Sequence, residues 1–385
     1  MDIEDYEPDQ LVADRFRRDR DNVVTQNERA LLGEIWRNPG LPRSSLGASL
    51  ELTQQSIHRL VAQLEARRLI QLGELCPPVY KGKPSPALHL NPLFGVSLGL
   101  SIDTDVAGLT LMRFDGSYDT SNIKIEDRSA NKALNEIETA VDTLLANNNV
   151  KRTDIIGIGV AIAGFRIEGS RYSTPEPLSD WSSLQLAPFI SDRFRLPVWT
   201  ENGSNCSAVC ELMLGVGRNV QNFVYLSFNY GLGAGVVLNS QLQTGGFGNA
   251  GEVSGMFTPQ EMPHRPALKS LIEELRKDGL EVTMIEQLKD DFDPSLPSVQ
   301  RWLDRVTPQH NRLINTLSAV IDPQSIVYGG QIPSALASSL IQRSVDFGET
   351  RHGVRRRRPE EVISRIEGNS AAIGAASLPL KHLFF

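Results

Sequence analysis

The chain has 385 residues, 40% hydrophobic and 22% charged, with a net charge of −7. That length exceeds one ordinary core and implies two or three globular domains, while the acidic balance excludes indiscriminate nucleic-acid binding by the whole surface and leaves room for one basic domain. No uncharged apolar run approaches the roughly 18 residues of a membrane span, and the acidic opening Met1-Asp2-Ile3-Glu4-Asp5 is unlike a secretory signal, so a cytoplasmic protein without membrane contact is expected.

Residues 1–24 form a charged arm in which Arg15, Arg17, Arg18 and Arg20 are interleaved with Asp14 and Asp19. A flexible or partly helical segment is expected, with contact to DNA as the alternative. Apolar residues then recur at Leu31, Leu32, Ile35 and Trp36, a helical spacing that stops at Asn38-Pro39-Gly40. Residues 43–50 read as a second short helix, and Leu52-Thr53 opens a third with Ile57, Leu60, Val61 and Leu64 on one face. Three short helices with tight turns describe a helix-turn-helix.

The third helix carries Thr53, Gln54, Gln55, Ser56, His58 and Arg59 near its start, side chains of the kind that pair with base edges, although any solvated helix shows the same types. Residues 69–73 and 87–90 read as two strands joined by a loop containing Lys81 and Lys83, which makes a wing. Residues 25–92 hold eight Lys and Arg against five Glu, so this domain is basic within an acidic chain. Arg43 and Ser44 on the second helix, with Lys81 and Lys83, complete the candidate DNA-contacting set.

From Asn91-Pro92 the texture changes to strands and glycines. Residues 94–103 and 107–116 form a hairpin turning near Thr104-Asp105, followed by a helix over 131–147 and a buried strand at 155–161. A second series repeats the order: strands at 222–228 and 230–238, then a distant strand at 325–330. These are two α/β lobes. Between them, Pro197-Val198-Trp199-Thr200-Glu201-Asn202-Gly203-Ser204-Asn205 reads as a strand end opening through a polar loop into a helix, a junction that leaves backbone N–H groups free for a ligand. Cys206 and Cys210, four apart on that helix, read as small core residues, with a shared metal face as the alternative. The basic run at 351–358 reads as a solvated loop, an interface or phosphate contact being the alternative.

Together these pieces resemble the ROK family (repressor, open reading frame, kinase). The matching segments are the winged helix-turn-helix, Gly82-Lys83-Pro84 by the wing, Pro197-Val198-Trp199-Thr200-Glu201-Asn202, Gly231-Leu232-Gly233-Ala234-Gly235, Ala250-Gly251-Glu252, Pro323-Gln324-Ser325-Ile326-Val327-Tyr328-Gly329-Gly330 and Ala371-Ala372-Ile373-Gly374-Ala375-Ala376. The resemblance spans nearly the whole chain. It implies an α/β protein with a winged helix-turn-helix at 25–92 followed by a two-lobed actin-like (ribonuclease H-like) ATPase fold. Lobe 1 would comprise 93–201 plus 370–385, lobe 2 would comprise 202–369, and a ligand cleft would separate them.

Set against the family's kinases, the chain departs where phosphoryl transfer needs phosphate cradles and a base. The family's Asp-x-Gly-Gly-Thr turn is here Asp103-Thr104-Asp105-Val106-Ala107, and its Gly-Thr-Gly-x-Gly is Asn229-Tyr230-Gly231-Leu232-Gly233. Its Glu-Asn-Asp, whose Asp is the general base, is Glu201-Asn202-Gly203. The cysteine cluster of the family's zinc module is missing, and His264 alone reads as a loop residue. Gly164, Asn202 and Glu252 match positions that hydrogen-bond sugar hydroxyls in relatives, while Ala163, Gly203 and Gly255 replace a Pro, the Asp and a His. The resemblance thus implies an effector site at Gly164, Asn202, Gly203, Glu252 and Gly255, suited to a differently substituted sugar or a sugar acid. The expected protein is a transcriptional regulator without kinase activity or cofactor, binding a double-stranded DNA operator as a homodimer or tetramer. The rivals are a sugar kinase with a fused DNA-binding domain, and a regulator controlled by a protein partner.

Overall fold

The computed structural model describes residues 6–77, 83–104, 106–288, 292–348, 350 and 352–385, apart from the side chain of residue 48. Helix α1 (Gln26–Arg37) starts at a reciprocal capping box between Thr25 and Glu28 and buries Leu31, Leu32, Ile35 and Trp36. A short strand β1 (Leu41–Pro42), a single 3-10 turn at Arg43–Ser45 and helix α2 (Leu46–Leu50) follow. Glu51 then turns the chain in the left-handed region, and Thr53 caps α3 (Gln54–Ala66) through its hydroxyl. Strands β2 (Ile70–Cys76) and β3 (Ser85–Leu90) pair antiparallel, with β1 on the outer side of β3. The wing strand therefore runs three residues beyond the expected end at Gly73, passing an irregularity between Leu72 and Leu75.

In lobe 1, β4 (Val96–Ile102), β5 (Val106–Arg113) and β6 (Tyr118–Lys124) form a meander, and α4 (Ala130–Asn147) crosses over to β7 (Ile155–Ile162). Both β4 and β7 are buried on both faces, which their near-continuous apolar runs require. A small hairpin, β8 (Phe165–Glu168) with β9 (Arg171–Ser173), leads to α5 (Leu186–Phe194), β10 (Val198–Asn202) and α6 (Gly203–Leu214). Lobe 2 repeats the scheme with β11 (Phe223–Phe228), β12 (Leu232–Leu238), β13 (Gln241–Gln243), α7 (Leu268–Lys277), α8 (Pro297–Val320), β14 (Ser325–Gly330), α9 (Ser334–Gln342) and β15 (Glu360–Ile363). The sheet orders, β10-β7-β4-β5-β6 and β13-β12-β11-β14-β15, are the same topology twice. The C-terminal helix α10 (Ser370–Phe384) returns to lobe 1 and lies across β4, β7 and α6. Its small residues permit this: a Cβ at Gly374 would collide with the Cys206 carbonyl of α6.

The first domain is not a loosely tethered head. Its core is continuous with α10 and the end of β5, through Phe94, Phe114 and Phe384, whose rings pack at 4.7–5.5 Å between centroids. Arg29 of α1 donates to the carbonyls of Lys381, His382, Leu383 and Phe385, capping the end of α10. The flexible arm expected at 1–24 is instead, over its described part, a strap. Val12 and Phe16 are buried in the shared core, Arg18 lies 2.8 Å from the buried carboxylate of Glu28, Arg15 pairs with Asp154 of lobe 1, and the Tyr6 hydroxyl accepts from the Val198 amide on the sheet's edge strand. The sequence showed the charges but not these anchors, because single apolar residues three or four apart in a polar stretch do not reveal what they face. Residues 352–358 form an exposed loop in which Arg355 and Arg358 are spent on Asp346 and Glu361.

Candidate effector cleft and nucleic-acid interface

The parallel strand β10 ends beside β7, and the chain turns at Asn202 into α6. Asn202 makes this turn itself: its side-chain oxygen accepts from the Ser204 and Asn205 amides at 2.7 and 3.4 Å, and its amide nitrogen donates to the Gly164 carbonyl at 2.6 Å. One side-chain N–H therefore remains for a ligand. Gly164 takes φ +120°, and a Cβ there would collide with the Ser173 carbonyl, so the residue facing the cap has to be glycine.

These residues open onto a cleft of about 560 Å3 between the lobes. Gly164, Asn202, Gly203 and Glu252 line it; Gly255 does not, and stands exposed on the short turn Val253–Met256. Gly255 is therefore outside the cavity's lining, whereas Gly203 is part of it. A Cβ at 203 would touch only the Ile162 carbonyl at 3.9 Å. Glu252 is accessible at the cleft wall, and partial burial raises its carboxyl pKa. Residues that spacing alone did not single out also face the cleft: Ser204 at the start of α6, Pro175 and Pro177 after β9, and the cations Arg265 and Lys269.

Gly203 stands at the position that the family resemblance gives to a general base, and two carboxylates near it in sequence or on the neighbouring turn are not aimed into the cleft. Glu201 is buried and committed, accepting from the Asn202 amide, the Asn205 side chain and Arg166 at 2.8, 3.1 and 3.4 Å. Asp180 is exposed in the 3-10 stretch Glu176–Ser183 and does not line the cleft. An adjoining cavity of about 120 Å3 shares Asp103, Thr104, Asn229 and Tyr230 with the cleft and adds Glu286. Among the described residues its carboxylates, Asp103 and Glu286, oppose a polyphosphate, and its volume is far below the roughly 300 Å3 at which small-ligand sites begin.

The glycine loop after β13 clasps lobe 1: the Asn249 side chain accepts from the Arg166 amide and donates to the Arg166 carbonyl, at 2.7 and 2.9 Å. Cys206 and Cys210 face inward on α6, fully buried, and burial pushes both thiols well up. Among the described residues no cluster of His, Cys, Asp and Glu could hold a metal ion, and no helix is long and apolar enough to cross a membrane.

In the first domain, Thr53, Gln54, Gln55, His58 and Arg59 are exposed along the first turns of α3, while Ser56 is half-buried with its hydroxyl 3.0 Å from that of Thr53. Gln54 reaches back to the Ser44 carbonyl, tying α3 to the preceding turn where Arg43 and Ser44 sit. Lys83 is exposed at the base of the wing; Lys81 and Gly82 lie outside the described residues. The Trp36 indole N–H donates to the Met213 carbonyl, near the C-terminal end of α6, at 2.9 Å, and Val209, Cys210 and Met213 of α6 share the first domain's core.

Comparison with known proteins bears on this architecture. The chain is 27% identical over 246 residues to the xylose repressor of Bacillus spizizenii, covering 62% of each protein. The crystal structure of a ROK-family transcriptional regulator, a homologue of the E. coli MLC protein, superposes with a TM-score of 0.67 over 93% of this chain and 96% of that one, at 18% identity. A ROK-family glucokinase from Streptomyces griseus, solved with glucose and AMPPNP, superposes with a TM-score of 0.59 over 74% of this chain and 99% of the kinase, also at 18% identity. The two-lobed part thus has the actin-like fold of these sugar kinases, and the ROK-family profile matches residues 101–264: the chain carries a ROK-family domain.

Proposed function

We propose that this protein is a DNA-binding transcriptional repressor controlled by a sugar-like effector in the inter-lobe cleft, and that it does not phosphorylate that effector. The observation that carries this reading is the pairing of an exposed polar face on α3 with a cleft that has Gly203 at the position the family resemblance gives to the base. The similarity to a xylose repressor agrees with it. Two copies of the chain would place two α3 helices in successive major grooves, and effector binding would alter their spacing through α6.

The glycines Gly231, in the turn before β12, and Gly233, at the start of β12, with the fold shared with a glucokinase, favour kinase activity as the second reading. A coupled ATP-consumption assay across neutral and acidic sugars, run beside mobility shifts on the DNA upstream of the protein's own gene, separates the two. Retarded DNA with no sugar-dependent ATP use is the expected result; sugar-dependent turnover overturns the reading.

A further inference from the structure

Resting on the reading of the cleft as an effector site, we propose that the effector is a sugar bearing an anionic group, carboxylate or phosphate, and that Arg265 holds that group with Lys269 beside it. Arg265 follows the short turn Met262–His264 and precedes α7, which places its guanidinium on the lobe-2 wall of the cleft. One nitrogen donates to the Ser254 hydroxyl at 3.1 Å, and a Cβ built on Gly231 would stand 3.9 Å from another. Ser254 is itself fixed, donating to the Leu232 carbonyl at 2.7 Å.

Among the described residues Arg265 has no paired anion. Arg166, Arg301, Arg305 and Arg312 each pair with a carboxylate. Among the described residues no carboxylate lies within 4.0 Å of Arg265, whose polar partners are a neutral hydroxyl and, at 4.0 Å, the Met262 sulfur. Partial burial lowers its pKa, and no neighbouring charge offsets this. A half-desolvated cation without a counter-ion is a cost in the free protein that an anionic ligand relieves. The planar guanidinium fork matches carboxylate and phosphate oxygens two at a time.

The carboxylates of the cleft do not fill this role. Asp103 is on the lobe-1 side, its side chain accepting from the Thr104 amide. Glu252 shares the lobe-2 wall, yet burial is the one cause of its raised pKa, so no cation compensates it either. Glu252 and the remaining N–H of Asn202 suit hydroxyls, Arg265 suits the charge, and the open space at Gly203 admits substituents between them.

Isothermal titration of the full-length protein with glucose, glucuronate, glucose 6-phosphate and xylose tests this, with Arg265→Gln and Lys269→Gln as variants and melting temperature as the check on folding. Glucuronate or glucose 6-phosphate should bind at least about tenfold more tightly than glucose, the two arms distinguishing carboxylate from phosphate. Arg265→Gln should abolish that preference, and Lys269→Gln should weaken it. Neutral sugars binding as tightly as the acidic ones, or a preference unchanged by Arg265→Gln, overturns the inference and leaves a sugar-responsive cleft intact. Binding of none of the four overturns the effector reading and this inference together.

Discussion

Asn202 and Trp36 hold opposite ends of one helix. Asn202 caps the first turn of α6 at the inter-lobe cleft, and Trp36 of the first domain donates to Met213 in the last turn. At 1.5 Å per residue the twelve residues span about 18 Å. A shift of the cap on ligand binding would reach the first domain through this helix, whose far end is held where the Trp36 ring packs on Phe385 at 4.6 Å. Trp36→Phe retains an aromatic ring and removes the N–H donor. It should lower stability by about 1 kcal/mol, leave ligand affinity unchanged, and reduce the ligand-induced change in operator affinity. Calorimetry and mobility shifts on the same preparation check this; an unaltered operator response would remove α6 from the coupling route.

Substitutions on the two surfaces should separate. Gln55→Ala or Arg59→Ala should each weaken operator binding by about 1–3 kcal/mol if the side chain reads a base, with ligand affinity retained. Glu252→Gln should leave operator affinity intact while weakening the ligand response. Fluorescence anisotropy on labelled operator, with and without ligand, measures both quantities. Asn202→Ala is a poorer probe, because it removes the cap of α6 together with the ligand donor.

Acid should destabilise the protein through lobe 2. His310 is buried on α8 with Nε2 2.7 Å from the Tyr328 hydroxyl, which donates to Glu361, and burial depresses its pKa to about 4. The unfolded chain, with an ordinary histidine near 6.5, binds the proton first. This contribution to stability is therefore complete above pH 6.5 and is lost as pH falls towards 4. Between pH 7.5 and 5 the loss should be about 2 kcal/mol. Urea denaturation at those two pH values should show it in the wild type and not in His310→Phe.

Restoring the missing carboxylate should not restore catalysis. Gly203→Asp places an acid in the first turn of α6, where space is open and the helix dipole favours negative charge by about 0.3–1 kcal/mol. The variant should melt no lower than wild type and consume no ATP with any sugar, since Glu286 and the Asp103-Thr104 turn still line the adjoining small cavity with negative charge. ATP turnover by this variant would show the phosphate site to be intact.

Much of this architecture was legible in the letters. Periodicity placed α1, α3 and the paired lobes, because apolar spacing is set by which face meets the core. The cleft residues Gly164, Asn202, Gly203 and Glu252 came from the family resemblance, and the structure gathers them around one cavity. Arg265 and Lys269 were not legible, since an arginine in a polar loop carries no mark of the wall it faces. Trp36 was read as a core residue of α1; its ring is buried, but its N–H reaches a carbonyl 177 positions along the chain, which no local pattern encodes. Gly255 was misplaced because its turn carries it away from the cavity that Glu252 faces, three residues earlier.

The most direct test of the central claim is operator affinity of the full-length protein, measured by mobility shift on the DNA upstream of its own gene, as the sugar that binds most tightly by calorimetry is added without ATP. The account predicts that the sugar alone changes operator affinity, and that Glu252→Gln blunts the change while Arg59→Ala weakens binding with and without sugar. Operator affinity that ignores the bound sugar, or that responds only when ATP is present, would contradict it.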